Sequence, residues 1–221
     1  MATTDNDGRT VLLKNVRLSF TDSLKDKKKT SDDPNAVPKH GFNIILESDK
    51  PEFADNKAKC IAAMEAAGEK EWKNKDAYKT IAEDNPKRVC FKRGERFKNA
   101  DNQVYLGYEG NFAMSLSGPS AGQKRPILKD RQKRDVTEGE ILDVFYGGCY
   151  ADVYVSFFGT DKGSRGIFAS GDLIRSRQTG ERMGGGFVLD ESKMLALDDL
   201  DDDLNPPATG GAAASAESDF G

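Results

Sequence analysis

The chain has 221 residues, of which 37% are hydrophobic and 32% are charged, and its formal net charge is −4. This length suits one compact domain with additional segments, and the negative charge taken alone argues against a nucleic-acid partner. We expect neither a membrane span, because no run of about 18 apolar residues exists, nor a secretory signal at the start of the chain.

The first elements along the chain are predicted to be two strands followed by helices. Apolar and polar residues alternate over 11–20, with apolar residues at 12, 16, 18 and 20 on one side, and again over 42–46, which is typical of half-buried strands. The residues between them are rich in charge and turn formers, which predicts a long mobile loop. A proline-initiated amphipathic pattern predicts a helix over 51–68, and a second helical pattern covers 69–82. Residues 51–82 are therefore predicted to be a helical insertion.

The remainder of the body has the pattern of strands. The period of two returns from Val89 and is clear over 112–116 and 149–158, and shorter strands are predicted over 166–170 and 172–177. Helices confined to one insertion and strands elsewhere predict a β-rich (α+β) fold. Glycine breaks would let a small sheet of this kind curl into a barrel.

Aromatic side chains follow the face of the 149–158 strand that does not belong to the core. Three of them are spaced four residues apart and align along one side of a sheet, namely Tyr150, Tyr154 and Phe158. Tyr105 and Tyr108 lie on opposite sides of another predicted strand, and we choose Tyr105 as the exposed ring. Unpaired bases stack on exposed rings of this kind. Burial of the same face under the helices or at a subunit contact is the alternative.

A basic loop precedes that strand. It places six cations in eleven positions with one acid, Asp130, between them: Lys124, Arg125, Lys129, Arg131, Lys133 and Arg134. Arg175 and Arg177, near the last hairpin, are candidates to extend the same groove. Cations along a groove bind the phosphates of single-stranded nucleic acid, whereas the alternative is an ordinary solvated surface.

The charge of the chain is unevenly distributed. Residues 190–221 hold nine acids and one base, while residues 1–189 hold 32 Lys or Arg and 28 Asp or Glu. A basic body with an acidic end suggests that the body meets a polyanion. Because the end lacks apolar periodicity, we predict a folded domain over 1–189 and a disordered tail over 190–221. The aromatic Phe220 is unusual in a tail that only confers solubility.

Cysteine and histidine contents limit the chemistry. Cys60, Cys90 and Cys149 are too few and too scattered for a disulfide framework or a paired zinc site, which fits a reducing cytoplasm. His40 is the single histidine, which removes most of the familiar histidine-based catalytic repertoire, since HExxH sites and multi-histidine metal centres need more than one. We expect no cofactor, no metal and no enzymatic activity.

Three segments together resemble a known family: TVLLKNVRLSF near the start, YADVYVSFF in the middle and GIFASGDLIRSRQTGERMGGG before the tail. With the basic loop and the acidic tail, they resemble the phage-encoded single-stranded-DNA-binding proteins of the T7-like OB-fold group. The resemblance covers most of residues 10–189. It implies a five-stranded OB barrel with a helical insertion, which coats single-stranded DNA during replication and recombination in the cytoplasm of the bacterial host.

The resemblance also implies that the tail docks on replication proteins such as a polymerase or a helicase. The tail residues concerned are Asp198, Asp199, Asp201, Asp202, Asp203, Asp219 and Phe220. Relatives tend to end on the aromatic itself, whereas here Gly221 follows it. A tethered polyanion has a high effective concentration near a cationic groove, so we expect the tail to compete with DNA.

Two other functions stay open at this point. A phage structural or assembly protein would use the β-rich body for protein contacts and the tail for solubility. A metal-dependent nuclease would need clustered carboxylates such as Asp201 and Asp203, but no rigid element is predicted to hold them. The sequence leaves the oligomeric state open, with a homodimer among the alternatives.

Overall fold

A computed structural model describes residues 7–29 and 34–183, which form a curled seven-stranded sheet and three α-helices. The strands are β1 (Thr10–Ser19), β2 (Gly41–Leu46), β3 (Phe91–Arg93), β4 (Phe112–Ser117), β5 (Ile127–Lys129), β6 (Tyr150–Thr160) and β7 (Gly166–Gln178). The helices are α1 (Phe53–Trp72), α2 (Ala77–Asp84) and α3 (Ile141–Val144). The tail predicted over 190–221 lies outside the described residues, so its disorder stays a prediction.

Five of the strands close into a ring. The order β4-β2-β1-β6-β7 is antiparallel throughout, and β7 returns to β4 through the parallel pairing of Ser170 with Ser117. The short strands β3 and β5 extend the sheet beside β4 and β7. This is the strand order of a five-stranded OB barrel, with a helical insertion after β2, and it confirms the predicted fold.

The inside of the ring is the hydrophobic core. The apolar face predicted for β6 is buried as expected: Cys149, Ala151, Val153, Val155 and Phe157. Helix α1 adds Cys60, Met64 and Ala67 to the same core. Burial of a side chain as large as Phe157 contributes about 1.5 to 3 kcal/mol relative to its exposure, so the core fixes which side of each strand faces outward.

The helical insertion has different boundaries from those predicted. Helix α1 continues through Gly68 to Trp72, and the second helix begins only at Ala77. Gly68 serves close packing rather than termination, because a Cβ there would lie 2.5 Å from the carbonyl oxygen of Asn74. Similarly, the two short strands predicted at the end of the body form one strand, β7. No helix in the described ranges is long and apolar enough to cross a membrane.

A bulge interrupts β1 at Lys14 and Asn15, where the pairing with β6 shifts register. The side chain of Asn56, on α1, replaces a strand partner there: its Oδ1 accepts from the backbone N–H of Lys14 at 3.0 Å, and its Nδ2 donates to the carbonyl of Lys14 at 2.7 Å. The backbone N–H of Asn15 donates to Asp152 Oδ1 at 3.0 Å. Helix α1 and strand β6 therefore hold the bulge from two sides.

The bulge changes which residues of β1 face outward. Strict alternation predicts that 12, 16, 18 and 20 share the inner side, but Leu13, Val16 and Leu18 are the buried ones. Leu12 faces outward on the first half of the strand. Phe20 follows the strand end with a left-handed φ of 53° and is 48% exposed. The alternation was therefore interpreted wrongly at Leu12, because the pattern does not reveal the one residue that the bulge inserts. It was wrong at Phe20 because the strand ends at Ser19 and the chain turns there.

Candidate nucleic-acid interface

The outward side of β5, β7 and β6, here called the β6 face, joins the predicted basic loop to the predicted aromatic strand. Lys129 of β5 pairs with Arg175 of β7. Two residues earlier on β5, Ile127 pairs with Leu173 of β7, and Leu173 also pairs with Tyr154 of β6. Tyr154 is 43% exposed. Since neighbouring strands lie about 4.8 Å apart, Tyr154 and the basic strand share one surface about 10 Å across.

A buried carboxylate organises the arginines of this face. Asp152, whose side chain is 3% exposed, binds Arg175 Nη2 and accepts from Arg177 Nη1 at 3.1 Å and from the backbone N–H of Asn15 at 3.0 Å. Burial would raise the pKa of Asp152, but the hydrogen bonds from Arg175 and Asn15 and the charge of Arg177 lower it overall. The two arginines are thus fixed in place, and the trio keeps one net positive charge.

The basic loop is less positive than its sequence suggests. Three of its six cations are paired with acids: Lys129 with Asp135 at 2.7 Å, Arg134 with Asp130 at 2.7 Å and Arg125 with Glu138 at 3.0 Å. Arg131 and Lys133 are exposed and form no ion pair within the described part of the chain. Lys124 is likewise exposed and forms no ion pair in that part of the chain, so these three cations are the freest of the loop to bind phosphates.

A cavity of about 550 Å³ lies beside the loop, bounded by α3 and the end of β7. Its lining mixes both signs of charge and includes Arg131, Arg134, Asp130, Asp135, Glu140 and Asp143. A mixed lining does not favour a phosphate, so this cavity is a poor candidate for a phosphate site.

Tyr150 is engaged by its own protein. Its hydroxyl donates to Glu47 Oε2 at 2.8 Å, and burial together with this carboxylate raises the pKa of Tyr150 to about 12. Arg17 and Lys50 lie 5.9 and 5.6 Å from the ring centroid. The backbone at Gly180 also approaches, since a Cβ there would lie 2.8 Å from the ring. Tyr150 is on the predicted side of β6, but its ring is less open to a base than that of Tyr154.

Phe158 occupies the other end of the same side of β6. It is half-buried, and its ring centroid lies 6.3 Å from that of Phe168 on β7. Between Tyr154 and Phe158, Asp172 binds the hydroxyls of Ser156 and Ser170. The three predicted rings are therefore aligned along β6, but an acid interrupts the row.

Tyr105 belongs to a second surface, on the outward side of β2 and β4, here called the β2–β4 face. Tyr105 and Tyr108 lie in the irregular segment before β4 rather than in a strand. Tyr108 is fully buried and accepts from Asn43 Nδ2 at 2.9 Å, while Tyr105 is half-buried with its centroid 5.9 Å from that of Tyr108. Its exposed neighbour is Phe20, at 4.8 Å and 79° between ring planes.

Lysines from two loops meet beside the β2–β4 face. Lys28 and Lys39 exchange backbone hydrogen bonds of 3.0 and 2.9 Å, and Lys27 Nζ donates to Gln123 at 3.2 Å. Lys124 follows Gln123 directly, so it lies with these lysines rather than on the β6 face. The sequence analysis omitted Phe20 and these lysines. An aromatic residue that directly precedes a lysine-rich loop was the available signal.

The three cysteines are free and buried. Among residues 7–29 and 34–183, no group of three or more His, Cys, Asp or Glu is placed to hold a metal ion. The carboxylates considered for a nuclease, Asp201 and Asp203, lie outside the described residues, as do the other tail positions from Asp198 to Phe220.

Comparison with known proteins agrees with this fold. A family model described as the ssDNA-binding protein of Enterobacter phage Enc34 matches residues 9–204. Putative protein p50 of Acyrthosiphon pisum secondary endosymbiont phage 1 is 29% identical over 193 residues, which cover 86% of this chain and 93% of that protein.

Two solved structures share the architecture. The single-stranded DNA-binding protein from bacteriophage Enc34 in complex with ssDNA has a TM-score of 0.62 at 17% identity and covers 80% of this chain and 90% of its own. A second structure of the single-stranded DNA-binding protein from bacteriophage Enc34 has a TM-score of 0.60 at 18% identity and covers 85% of this chain and 90% of its own. The resemblance to phage single-stranded-DNA-binding proteins is confirmed: the chain belongs to the Enc34 phage ssDNA-binding protein family.

Proposed function

We propose that this protein binds single-stranded DNA without sequence preference and that the β6 face contributes to the interface. The observation that carries the proposal is the exposed ring of Tyr154 on one surface with Lys129, Arg175 and Arg177. Such a surface offers what a non-specific binder needs, since rings stack on any base and cations bind any phosphate. The Enc34 relative that was solved in complex with ssDNA supports the same ligand.

The proposed role is to coat single strands during phage DNA replication and recombination in the cytoplasm of the bacterial host. The acidic tail would compete with DNA for the cationic surface and would dock on replication proteins such as a polymerase or a helicase. Its nine acids against one base support the competition, because a tethered polyanion acts at high effective concentration.

Titration of a labelled oligo-dT at increasing salt tests the proposal. Five cations of the β6 face and its loop are candidates for phosphate contacts: Lys129, Arg131, Lys133, Arg175 and Arg177. Neutralisation of about five phosphates predicts that log affinity falls with log salt at a slope of roughly −3.5. A flat salt response would contradict a cationic interface. Absence of binding to oligo-dT would favour the phage assembly alternative.

Removal of the tail from Asp198 onward tests the competition. The truncated chain should bind oligo-dT more tightly than the full chain at the same salt, and it should lose binding to purified phage polymerase or helicase. Equal affinities of the two chains for DNA would rule out competition by the tail.

A further inference from the structure

One carboxylate of the β6 face has no cation partner in the described part of the chain. Asp172 on β7 accepts hydrogen bonds from the hydroxyls of Ser156 and Ser170, the latter at 2.9 Å, and it forms no ion pair there. Asp152 on the same face is instead paired with two arginines. An acid without a cation repels phosphates, so its place on a surface proposed to bind a polyanion needs a physical reason.

A β-bulge in β7 aims Asp172 outward. The pairing of β6 with β7 shifts register between Tyr154 and Val155, which leaves Asp172 as the extra residue on β7. Its hydrogen bond with Ser156 places its side chain on the outward side, because both neighbours of Ser156 in the chain are buried. Bulges re-aim side chains and are frequent next to functional sites. The bulge therefore presents this carboxylate on the same surface as Tyr154.

Hydroxyl groups hold the carboxylate of Asp172 in place. Each of its oxygens accepts from one serine, and Thr10 Oγ1 lies 2.9 Å from Ser156 Oγ, which extends the network to β1. An ionised carboxylate can accept about four hydrogen bonds, so the two serines do not exhaust its capacity. Because Asp172 is half-buried rather than fully buried, a ligand on the outward side can reach the remaining acceptor sites.

Three parallel bands cross the outward side of the sheet. The middle band is apolar and consists of side chains that are paired from strand to strand: Ile127, Leu173, Tyr154 and Leu12. Arg175 lies two residues from Leu173 on one side of this band, and Ser156 lies two residues from Tyr154 on the other side. Each of these separations is about 7 Å. The apolar band therefore separates the arginines from Asp172.

This arrangement orients a nucleotide. A base stacked on Tyr154 would have its phosphate on the side of the arginines, because Asp172 repels phosphates from the other side. The edge of that base would then face Asp172. A carboxylate accepts from the amino group of cytosine. Thymine carries a carbonyl oxygen in place of that amino group, and two acceptors that face each other repel.

We infer that Asp172 is a specificity-determining residue of the β6 face, whose carboxylate accepts a hydrogen bond from the amino group of a base stacked on Tyr154. The preferred ligand at this position is cytosine rather than thymine. This inference rests on the proposed function and deepens it. Rings and cations still supply most of the affinity, so any single strand binds and the preference is modest. One hydrogen bond corresponds to an affinity ratio of about 2- to 10-fold.

Titration of labelled oligo-dC and oligo-dT of about 16 nucleotides, at the same pH and salt, tests the inference with the full chain. The wild type should bind oligo-dC about 2- to 10-fold more tightly than oligo-dT. In Asp172→Asn this ratio should fall to about 1, because an amide both donates and accepts and so suits either base. Asp172→Ala should lose the preference as well. The ratio is the readout, since loss of a negative charge alone would strengthen both complexes equally.

Asp76→Asn is the matched control, because it removes the same charge at an exposed position before α2 that is assigned no contact with DNA. It should keep the wild-type ratio. Equal binding of oligo-dC and oligo-dT by the wild type, or an unchanged ratio in both Asp172 variants, would overturn the inference and leave the proposed function intact. Loss of the ratio in the Asp76 control as well would also overturn the inference. Failure of the wild type to bind either oligonucleotide would overturn the proposed function and the inference with it.

Discussion

Substitution of Asp152 tests whether this one carboxylate both stabilises the barrel and positions Arg175 and Arg177. Asp152→Ala leaves the part-buried N–H of Asn15 without its acceptor, which costs about 1 to 3 kcal/mol. The side chains of Arg175 and Arg177 are 36% and 43% exposed, so water replaces much of what they lose, and each adds about 0 to 1 kcal/mol. The free energy of unfolding should therefore fall by about 1 to 5 kcal/mol.

Asp152→Asn separates shape from charge. Its amide oxygen can still accept from Asn15, so the expected loss is smaller, about 1 to 2 kcal/mol. The pKa of Asp152 is lowered in the folded protein, so its ionised form adds stability above the ordinary Asp pKa of about 3.9. That contribution is lost as the pH falls through the folded-state pKa. The stability difference between wild type and Asp152→Asn should thus shrink below about pH 4.

Urea unfolding followed by circular dichroism measures these differences. Asp22→Asn is a suitable control, because Asp22 is 70% exposed in its pair with Lys28, and its loss should cost less than about 0.5 kcal/mol. If both Asp152 variants unfold within about 0.5 kcal/mol of the wild type at pH 7, the assigned hydrogen bonds do not contribute as argued.

Two further predictions concern side chains of opposite exposure. Tyr154→Ala should weaken oligo-dT binding by about 1 to 3 kcal/mol without unfolding the barrel, because the ring is 43% exposed; loss of folding in circular dichroism would place the ring in the core. The three cysteines should resist iodoacetamide at pH 8 in the native chain, because burial disfavours the reactive thiolate. Burial raises the pKa of Cys90 to about 12 and the pKa of Cys149 to about 11, and it also raises the pKa of Cys60. Rapid alkylation detected by mass spectrometry would show that the core opens.

Periodicity was a sound guide where strands are regular. The alternation over β6 identified both its buried set and its outward side, because a strand without insertions keeps a period of two. It failed on β1, since the bulge at Lys14 and Asn15 depends on Asn56 and Asp152, which are distant in the chain. No local pattern specifies such partners, so the outward position of Leu12 was not predictable from its neighbours.

The charge pattern of the sequence predicted the structure less well than the periodicity of its strands did. The structure places part of the basic loop on the same sheet as Tyr154, since β5 pairs with β7 beside β6. Its effective charge was overestimated, because Asp135 and Glu138 just beyond the loop pair with Lys129 and Arg125. Lys124 lies with the lysines of another loop because the turn before it is hydrogen-bonded there: the backbone N–H of His40 donates to the carbonyl of Gly122. Ion pairs and loop contacts are tertiary features that composition alone cannot assign.

The geometry of Asp152 couples the proposed DNA-binding surface, the β6 face, to the register of the barrel. The same carboxylate holds the β1 bulge through Asn15 and orients Arg175 and Arg177. The bulge in turn determines that Leu12 lies opposite Tyr154 while the buried residues of β1 stay in the core. A rearrangement at Asp152 would therefore alter phosphate contacts and strand register together. This coupling explains why a buried acid is compatible with a surface proposed to bind a polyanion. The Asp152 carboxylate positions two cations on that surface and offsets only one of their two charges.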